Sequence, residues 1–265
     1  MNLRPGTQHG NDNFAPGAQH LLDGESGISR RAILAATIGA LATAGVARAG
    51  EGSAMPHVAL LGDSIFDNAA YVGGGPDVIA QVRERLPAGW RATLTAIDGS
   101  TIRDIGDQLT RVPSDATHLV VSIGGNDALG YSDILGAASS SVADTLMKLA
   151  DIQQEFRSGY VRMVEAVVGR KLATAFCTIY DPRYSDPIER RVATTALAVI
   201  NDVIVREVVM RGLPLIDLRV VCGEDADFAN PIEPSVQGGR KIAGTIVSLL
   251  TQHEFDVGRS QVFVR

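Results

Sequence analysis

The stretch that decides the fold is His57-Val58-Ala59-Leu60-Leu61-Gly62-Asp63-Ser64. Its apolar run predicts a short buried strand, and the glycine allows the chain to turn sharply where the strand ends. We therefore expect Ser64 at the carboxyl end of a strand, where open α/β sheets bind their ligands. Such a serine can act as a nucleophile if another group removes its proton. It can equally be a plain helix N-cap, and this stretch alone leaves both interpretations open.

Strands and helices alternate from Met55 to the end of the chain. We predict strands over 57–61, 91–97, 118–123, 172–179 and 213–218, and helices over 77–85, 105–111, 140–168, 188–210 and 235–252. This alternation is typical of one parallel sheet covered by helices on both faces. We assign residues 55–265 to a single α/β domain, for which the length of the chain is sufficient.

Residues 1–54 have a different composition and are predicted to be a disordered leader. Within it, residues 29–49 contain Arg30-Arg31, a modest apolar run and Ala47-Arg48-Ala49, the parts of a twin-arginine (Tat-like) export signal in the expected order. They predict a periplasmic or secreted protein, and the run is too short for a stable membrane span. Alternatively, translation starts at Met55 and the protein is cytoplasmic.

The composition and net charge indicate which classes of binding partner to expect. A net charge of −6 and a pI near 5.4 give no electrostatic reason to expect nucleic acid. Cys177 and Cys222 lack the spacing of zinc ligands. For the function that we favour below, we expect neither a metal ion nor a cofactor. The sequence leaves the oligomeric state open.

Small or polar turns follow three of the predicted strands: Gly62-Asp63-Ser64, Asp98-Gly99-Ser100 and Gly124-Gly125-Asn126-Asp127. Each alone is ordinary turn chemistry. In a parallel sheet, however, all three lie at the same edge. The backbone N–H groups of Ser64 and Gly99 and the side-chain amide of Asn126 would then form an oxyanion hole. Their coincidence favours a nucleophilic site over three unrelated turns.

These segments resemble the GDSL, or SGNH, hydrolase family over about residues 57–252. Gly62-Asp63-Ser64-Ile65 is similar to its first block, Gly99 to the glycine of the second, and Gly124-Gly125-Asn126-Asp127 to the third. The resemblance implies a flavodoxin-like three-layer α/β/α sandwich, here with a five-stranded parallel sheet, and ester hydrolysis through an acyl-enzyme. It implies that Ser64 is the nucleophile and that Gly99 and Asn126 complete the oxyanion hole. We further expect Asp63, Asp127 and Asn230 to contact the substrate.

The last block departs from the family pattern. The family has Asp-x-x-His-Pro before the final helix, whereas this chain has Asn230-Pro231-Ile232-Glu233-Pro234. Glu233 stands in place of the histidine, and none of the five histidines is an obvious substitute. An ordinary glutamate has a pKa of about 4.3, against about 6.5 for histidine, so it is the weaker base. Catalysis would then favour acidic conditions unless burial raises that pKa. Alternatively, Glu233 is a solvated acid in a site that has lost its base.

The predicted function is a serine esterase acting on small carboxylic esters or acetylated carbohydrates, with Glu233 as the base. One alternative is a non-catalytic domain that binds a carbohydrate or acyl ligand. A second is a metal-dependent phosphoesterase, suggested by the acids Asp63, Asp67, Asp127 and Glu233. Residues 178–184, at the end of the fourth strand, either shape an acyl pocket or form an ordinary proline-containing turn.

Overall fold

The protein is described here by a computed structural model covering residues 55–264. The predicted leader, residues 1–54, and the predicted export signal within it, residues 29–49, lie outside the described residues. So does the final residue of the predicted domain, Arg265.

Eight strands form two sheets. They are β1 (His57–Gly62), β2 (Arg91–Leu94), β3 (His118–Ser122), β4 (Ala173–Cys177), β5 (Leu215–Ile216), β6 (Phe228–Asn230), β7 (Glu233–Pro234) and β8 (Val262–Phe263). The main sheet is parallel throughout, in the order β2-β1-β3-β4-β5-β8, whereas β6 and β7 form a separate antiparallel pair.

The parallel sheet confirms the predicted fold class, but its six strands correct the prediction of five. The additional strand is β8, whose Val262 and Phe263 pair with Leu215 and Ile216 of β5. Two residues are too few to show a period-two pattern. Pairing with the edge of the sheet, which the sequence does not reveal, is what makes this segment a strand.

The described chain also contains seven α-helices, besides four short 3₁₀ helices. The α-helices are α1 (Val78–Arg85), α2 (Ile105–Thr110), α3 (Gly125–Gly130), α4 (Val142–Val168), α5 (Pro187–Val209), α6 (Leu218–Val221) and α7 (Val236–Gln252). The four longest begin at capping residues whose side chains accept hydrogen bonds from first-turn N–H groups: Asp77, Ser141, Asp186 and Ser235. Across residues 55–264, no helix combines the length and apolar character needed to cross a membrane.

Side chains of β1 show how the layers form. Val58 and Leu60 pack in one core with α1 and α7, whereas Ala59 and Leu61 pack in a second core with α2, α4 and α5. Successive residues of a strand point to opposite faces of the sheet, so a strand that is apolar at every position requires helices on both faces. The predicted three-layer α/β/α arrangement is confirmed.

Helix α4 is much longer than the strands that it covers. Its 27 residues extend over about 40 Å, whereas the five residues of β3 extend over about 17 Å. Its fully buried side chains begin only at Phe156, and those of α5 begin only at Ile200. The amino-terminal halves of both helices therefore project past the carboxyl edge of the sheet.

Candidate active site

The turn after β1 is fixed by a glycine and a glutamine. Gly62 has φ of +142°, and a Cβ atom there would lie 1.8 Å from the carbonyl oxygen of Ser122, so the position requires glycine. The buried amide of Gln108 donates to the Gly62 carbonyl oxygen and accepts from the Gly62 N–H, both at 2.7 Å. This amide anchors the end of the strand just before Ser64.

The predicted oxyanion-hole groups lie around this turn. Ser64 is 7% exposed, and it lines a cleft together with Asn126 of α3. The Asn126 side-chain amide donates to the carbonyl oxygen of Ser100 at 2.9 Å, which joins α3 to the loop containing Gly99. Within residues 55–264, neither the Ser64 N–H nor the Gly99 N–H has an acceptor. Gly99 is not among the residues that line the cleft, so its part in an oxyanion hole stays a prediction.

Glu233 lines the same cleft as Ser64 and is only 6% exposed. Burial raises the pKa of Glu233 to about 7; the Ser64 hydroxyl, acting as a hydrogen-bonding neighbour, opposes this shift, and the charge of Asp98 adds to it. The side-chain hydrogen bonds within residues 55–264 include none between Ser64 and Glu233, and Oε2 of Glu233 has no partner. Catalytic hydrogen bonds are often long until substrate binds.

Asn230 shapes the turn that carries Glu233. Its Oδ1 accepts hydrogen bonds from the N–H groups of Ile232 and Glu233, each at 3.0 Å. This Asx-type turn occupies the side-chain oxygen of Asn230, a residue predicted to contact substrate. In this structure Asn230 therefore orients the backbone of Glu233, and its contact with substrate remains a prediction.

Two further side chains hold this loop, and the sequence analysis gave neither of them that role. The hydroxyl of Tyr180 donates to the Ile232 carbonyl oxygen at 2.5 Å. The buried Asn68 donates from Nδ2 to the Pro234 carbonyl oxygen at 3.1 Å and accepts at Oδ1 from the Val78 N–H at 2.9 Å. Asn68 follows Ser64 by four residues, so one short segment carries both the serine and an anchor for the glutamate loop.

Asp63 is a second buried carboxyl beside Glu233. It is 2% exposed; its Oδ1 accepts from the Ile65 N–H at 3.1 Å, and its Oδ2 has no partner within the described chain. Burial raises the pKa of Asp63 to about 7, and the charges of Glu233 and Asp127 add to this shift. Asp63 lines the cleft, but its predicted contact with substrate is untested.

Asp127 supports a neighbouring loop. Its Oδ2 accepts from the Ile102 N–H at 3.0 Å, which joins α3 to the segment after Gly99. Burial raises its pKa. The contact of Asp127 with substrate stays a prediction.

The three histidines of the described chain lie away from this cleft. Nε2 of His57 contacts Oγ1 of Thr93 at 2.8 Å, the ring of His118 packs against Trp90, and the ring of His253 packs against Phe255. None of the three lines the cleft. Among residues 55–264, no histidine therefore lies beside Ser64 or Glu233 where it could act as the base.

The cleft has a volume of about 650 Å³ and begins at Ser64. It extends between α3 and the projecting halves of α4 and α5, and its apolar wall includes Leu129, Ile134, Leu149, Ile152, Val192 and Leu197. The predicted pocket segment 178–184 contributes Ile179, Tyr180, Pro182 and Tyr184. The sequence gives no sign of the cleft itself, because it arises from the overhang of two helices rather than from a motif.

The acids at this edge do not form a metal site. In the part of the chain that the structure describes, no group of three or more His, Cys, Asp or Glu side chains is arranged to hold a metal ion. The metal-dependent alternative therefore has no ligand set among these residues.

Known proteins share this fold. The structure is similar to an extracellular lipase from Streptomyces rimosus, with a TM-score of 0.55 and 18% identity, covering 75% of this chain and all of the lipase. It is similar to a phospholipase A1 from Streptomyces albidoflavus NA297 (TM-score 0.52, 15% identity, covering 76% of this chain and 100% of that one). An acetyl xylan esterase has a TM-score of 0.52 and 17% identity, covering 73% of this chain and 99% of its own.

These identities establish a shared fold alone, and no curated protein matches the sequence. The family assignment rests on a sequence profile, that of the GDSL-like lipase/acylhydrolase family, which matches residues 60–240. The matched region includes the Ser64 turn, the Asn126 loop and Glu233. This chain therefore belongs to the GDSL-like lipase/acylhydrolase family.

Proposed function

We propose that this protein hydrolyses carboxylic esters through an acyl-enzyme on Ser64, with Glu233 as the general base. The observation that carries the proposal is that Ser64 and the buried Glu233 line one cleft. Family membership supports acyl hydrolysis in general, and the assignment of roles to residues rests on the geometry.

The reaction proceeds in two balanced halves. Oγ of Ser64 attacks the ester carbonyl carbon while its proton passes to Glu233, and the oxyanion is held by the N–H groups of Ser64 and Gly99 and the amide of Asn126. The bond to the alcohol oxygen then breaks, and Glu233 returns the proton to the departing alcohol. Water repeats these steps on the acyl-enzyme and releases the carboxylic acid.

Burial makes this carboxylate a better base than the sequence suggests. A pKa of Glu233 near 7 means that it accepts a proton more readily than an exposed glutamate, but also that it is ionised only around and above neutral pH. The proposal therefore replaces the acidic optimum predicted from the sequence with one near neutral pH. A carboxylate needs no second acid to orient it, so Asn230 is free to shape the turn.

Labelling with a fluorophosphonate tests this proposal. We expect covalent modification of Ser64, identified by mass spectrometry, that is absent in Ser64→Ala and much slower in Glu233→Gln. If the wild-type protein is not labelled at any pH at which it remains folded, ester hydrolysis by Ser64 is wrong. Thermal stabilisation by esters without labelling would then indicate the non-catalytic binding domain.

A further inference from the structure

We propose that the cleft beside Ser64 binds the hydrocarbon chain of a medium- or long-chain acyl group, so that the preferred substrates are neutral esters of such acids. This inference deepens the proposed function, on which it rests, and departs from the small or acetyl esters predicted from the sequence. It is carried by the size of the cleft, its lining and its position relative to the serine.

The size of the cleft exceeds what an acetyl group requires. A methyl group is similar in size to a water molecule, which occupies about 30 Å³ in the liquid, whereas the cleft has about 650 Å³. Pockets of roughly 300–1,000 Å³ bind ligands of many atoms. An acetyl ester would leave most of this apolar space filled with poorly bonded water.

The lining is apolar over most of its length. Leucine, isoleucine, valine and alanine side chains from α3, α4 and α5 form the walls, and no lysine or arginine of residues 55–264 contributes. The two acids at the start of α5, Asp186 and Glu189, are its charged groups away from the serine. This composition suits a neutral hydrocarbon chain and disfavours a chain that ends in a carboxylate or phosphate.

Apolar side chains of the cleft are still exposed where they face outward. Ile188 is 73% exposed, Leu135 45% and Val192 43%, and all three belong to the lining. Large side chains that remain exposed next to a concave apolar wall are typical of a ligand-binding groove. An acyl chain lying along them would remove this surface from water.

A polar group of residues lies near Glu233 but outside the cleft lining, so we assign the cleft to the acyl rather than the alcohol part. There the hydroxyl of Tyr71 donates to Oδ2 of Asp98 at 2.7 Å, and Oδ2 of Asp67 accepts from the Asp98 N–H at 3.0 Å. Both of these hydrogen bonds are exposed to solvent. A hydroxyl-bearing alcohol fits this polar group, and a hydrocarbon chain fits the cleft.

The first test is the dependence of kcat/KM on chain length. With p-nitrophenyl acetate, butyrate, octanoate and decanoate below their micellar concentrations, we expect kcat/KM to rise by up to about fourfold per methylene, the equivalent of ~0.8 kcal/mol per buried CH₂. With ethyl, butyl and octyl acetate, in which only the alcohol lengthens, we expect little change. A preference for acetate in the first series, or a stronger rise in the second, would overturn the proposal.

A cleft-filling substitution tests the location. Ala196 of α5 lines the cleft, whereas Ala198 lies on the exposed face of the same helix. We expect Ala196→Phe to lower the ratio of kcat/KM for decanoate to that for acetate by at least about tenfold, and Ala198→Phe to leave the ratio unchanged. Equal ratios in the two variants would contradict the proposal. Ala193→Phe serves in its place if Ala196→Phe fails to fold.

A binding measurement separates this inference from the proposed catalysis. The neutral fluorescent probe N-phenyl-1-naphthylamine is titrated into the Ser64→Ala protein and displaced with methyl decanoate, with and without Ala196→Phe. Displacement that Ala196→Phe abolishes supports the acyl cleft even if no ester is hydrolysed, in which case only the proposed function fails. If acetate esters are hydrolysed but methyl decanoate does not displace the probe, the acyl cleft is wrong and the proposed function stands.

Discussion

The base role proposed for Glu233 near neutral pH depends on the burial of its carboxyl. The residue is 6% exposed, and its Oε2 has no hydrogen-bond donor in the described chain. A carboxylate that is hydrogen-bonded in its charged form has a lowered pKa, whereas one buried without donors has a raised pKa. The two hydrogen bonds that Asn230 accepts hold the backbone of this turn. They do not involve the Glu233 carboxyl and so do not stabilise its charged form.

Replacing Glu233 tests its role as the base. We expect Glu233→Gln to lower kcat by about 10²–10⁴, the usual contribution of general base catalysis, because glutamine keeps the shape but accepts no proton. In the wild-type protein, kcat/KM should rise with pH through about 7, as Glu233 loses its proton. The double variant Asn230→Asp/Glu233→His should recover activity with this limb moved towards about 6.5, the ordinary pKa of histidine. A Gln variant with near-normal turnover would rule out Glu233.

Asp63 is expected to determine the alkaline limb of the same profile. The titratable groups that act on it or respond to its charge are Glu233, Asp127, Cys177 and Tyr180, all of them neutral or negative. A second charge on Asp63 would oppose both the ionisation of Glu233 and the developing oxyanion, so the productive state has Glu233 ionised and Asp63 protonated.

Asp63→Asn should therefore abolish the alkaline limb of kcat/KM and leave activity at neutral pH. Asparagine keeps the acceptor for the Ile65 N–H and cannot ionise, so the positioning of the turn is preserved. Asp107→Asn, on the exposed face of α2, is the matched control and should leave the profile unchanged. An alkaline limb that persists in Asp63→Asn would show that another group titrates there.

At the scale of elements, the serine turn depends on one glycine. In Gly62→Ala the new Cβ would lie 1.8 Å from the Ser122 carbonyl oxygen in the centre of the sheet, so we expect at least about 3 kcal/mol of destabilisation or failure to fold. Gly106, within α2, has open space around its Cβ position, so Gly106→Ala should stabilise by about 0.5–1 kcal/mol. Urea denaturation compares the two. A Gly62→Ala protein as stable as the wild type would show that the sheet adjusts.

Asn68 joins the serine segment to the glutamate loop, so its loss should affect catalysis as well as stability. Asn68→Ala leaves the Val78 N–H and the Pro234 carbonyl without their buried partner, at a cost of about 1–3 kcal/mol. We expect kcat to fall more than KM changes, and the acid limb of kcat/KM to move as Glu233 loses its position.

The control for Asn68→Ala is Asn201→Ala. Asn201 is also buried and makes two hydrogen bonds, to the backbone of Ile179. It should lose similar stability while the acid limb stays in place. If both variants shift that limb equally, Asn68 has no special part in positioning Glu233.

The sequence predicts those helices, strands and turns whose own residues show a local pattern. Burial on both faces and helical periodicity produce direct sequence patterns. They allow us to predict the strand β1, the turn at Gly62 and the long helices α4 and α5. β8 and the β6–β7 pair contain two or three residues each, and such segments become strands only through their partners. Gly124 and Gly125, read as a loop, begin the short helix α3.

The sequence names candidate residues for the site, whose roles stay predictions, but it does not reveal their environment. Ser64, Asn126 and Glu233 follow from strand-end turns and a family frame. The raised pKa of Glu233 and the roles of Asn68, Gln108 and Tyr180 depend on residues far apart in sequence, since Asn68 and Pro234 are separated by 166 positions. The acyl cleft depends on the relative lengths of strands and helices. No local pattern encodes these distances.

For the molecule as a whole, two opposing sets of carboxyls determine how stability varies with pH. Asp63, Asp127 and Glu233 have raised pKa values through burial, so the folded protein binds more protons than the unfolded chain between about pH 4 and 7. Acids paired with arginine, such as Asp217 and Asp225, have lowered pKa values, and their contribution is lost only at lower pH. Stability should therefore be greatest near about pH 5.

Chemical denaturation at about pH 5 and about pH 8 measures this difference. The free energy of unfolding should fall between these two values, because ionisation of Asp63 and Glu233 is less favourable in the folded protein than in the unfolded chain. Asp63→Asn should remove part of the fall, gaining on the order of 2 kcal/mol at the higher pH and little at the lower one. Asp107→Asn should keep the wild-type dependence. A stability that rises from pH 5 to 8 would mean that the two carboxyls are hydrated or paired in solution. Burial would then not raise the pKa of Glu233, and its proposed role as a base near pH 7 would have no physical basis.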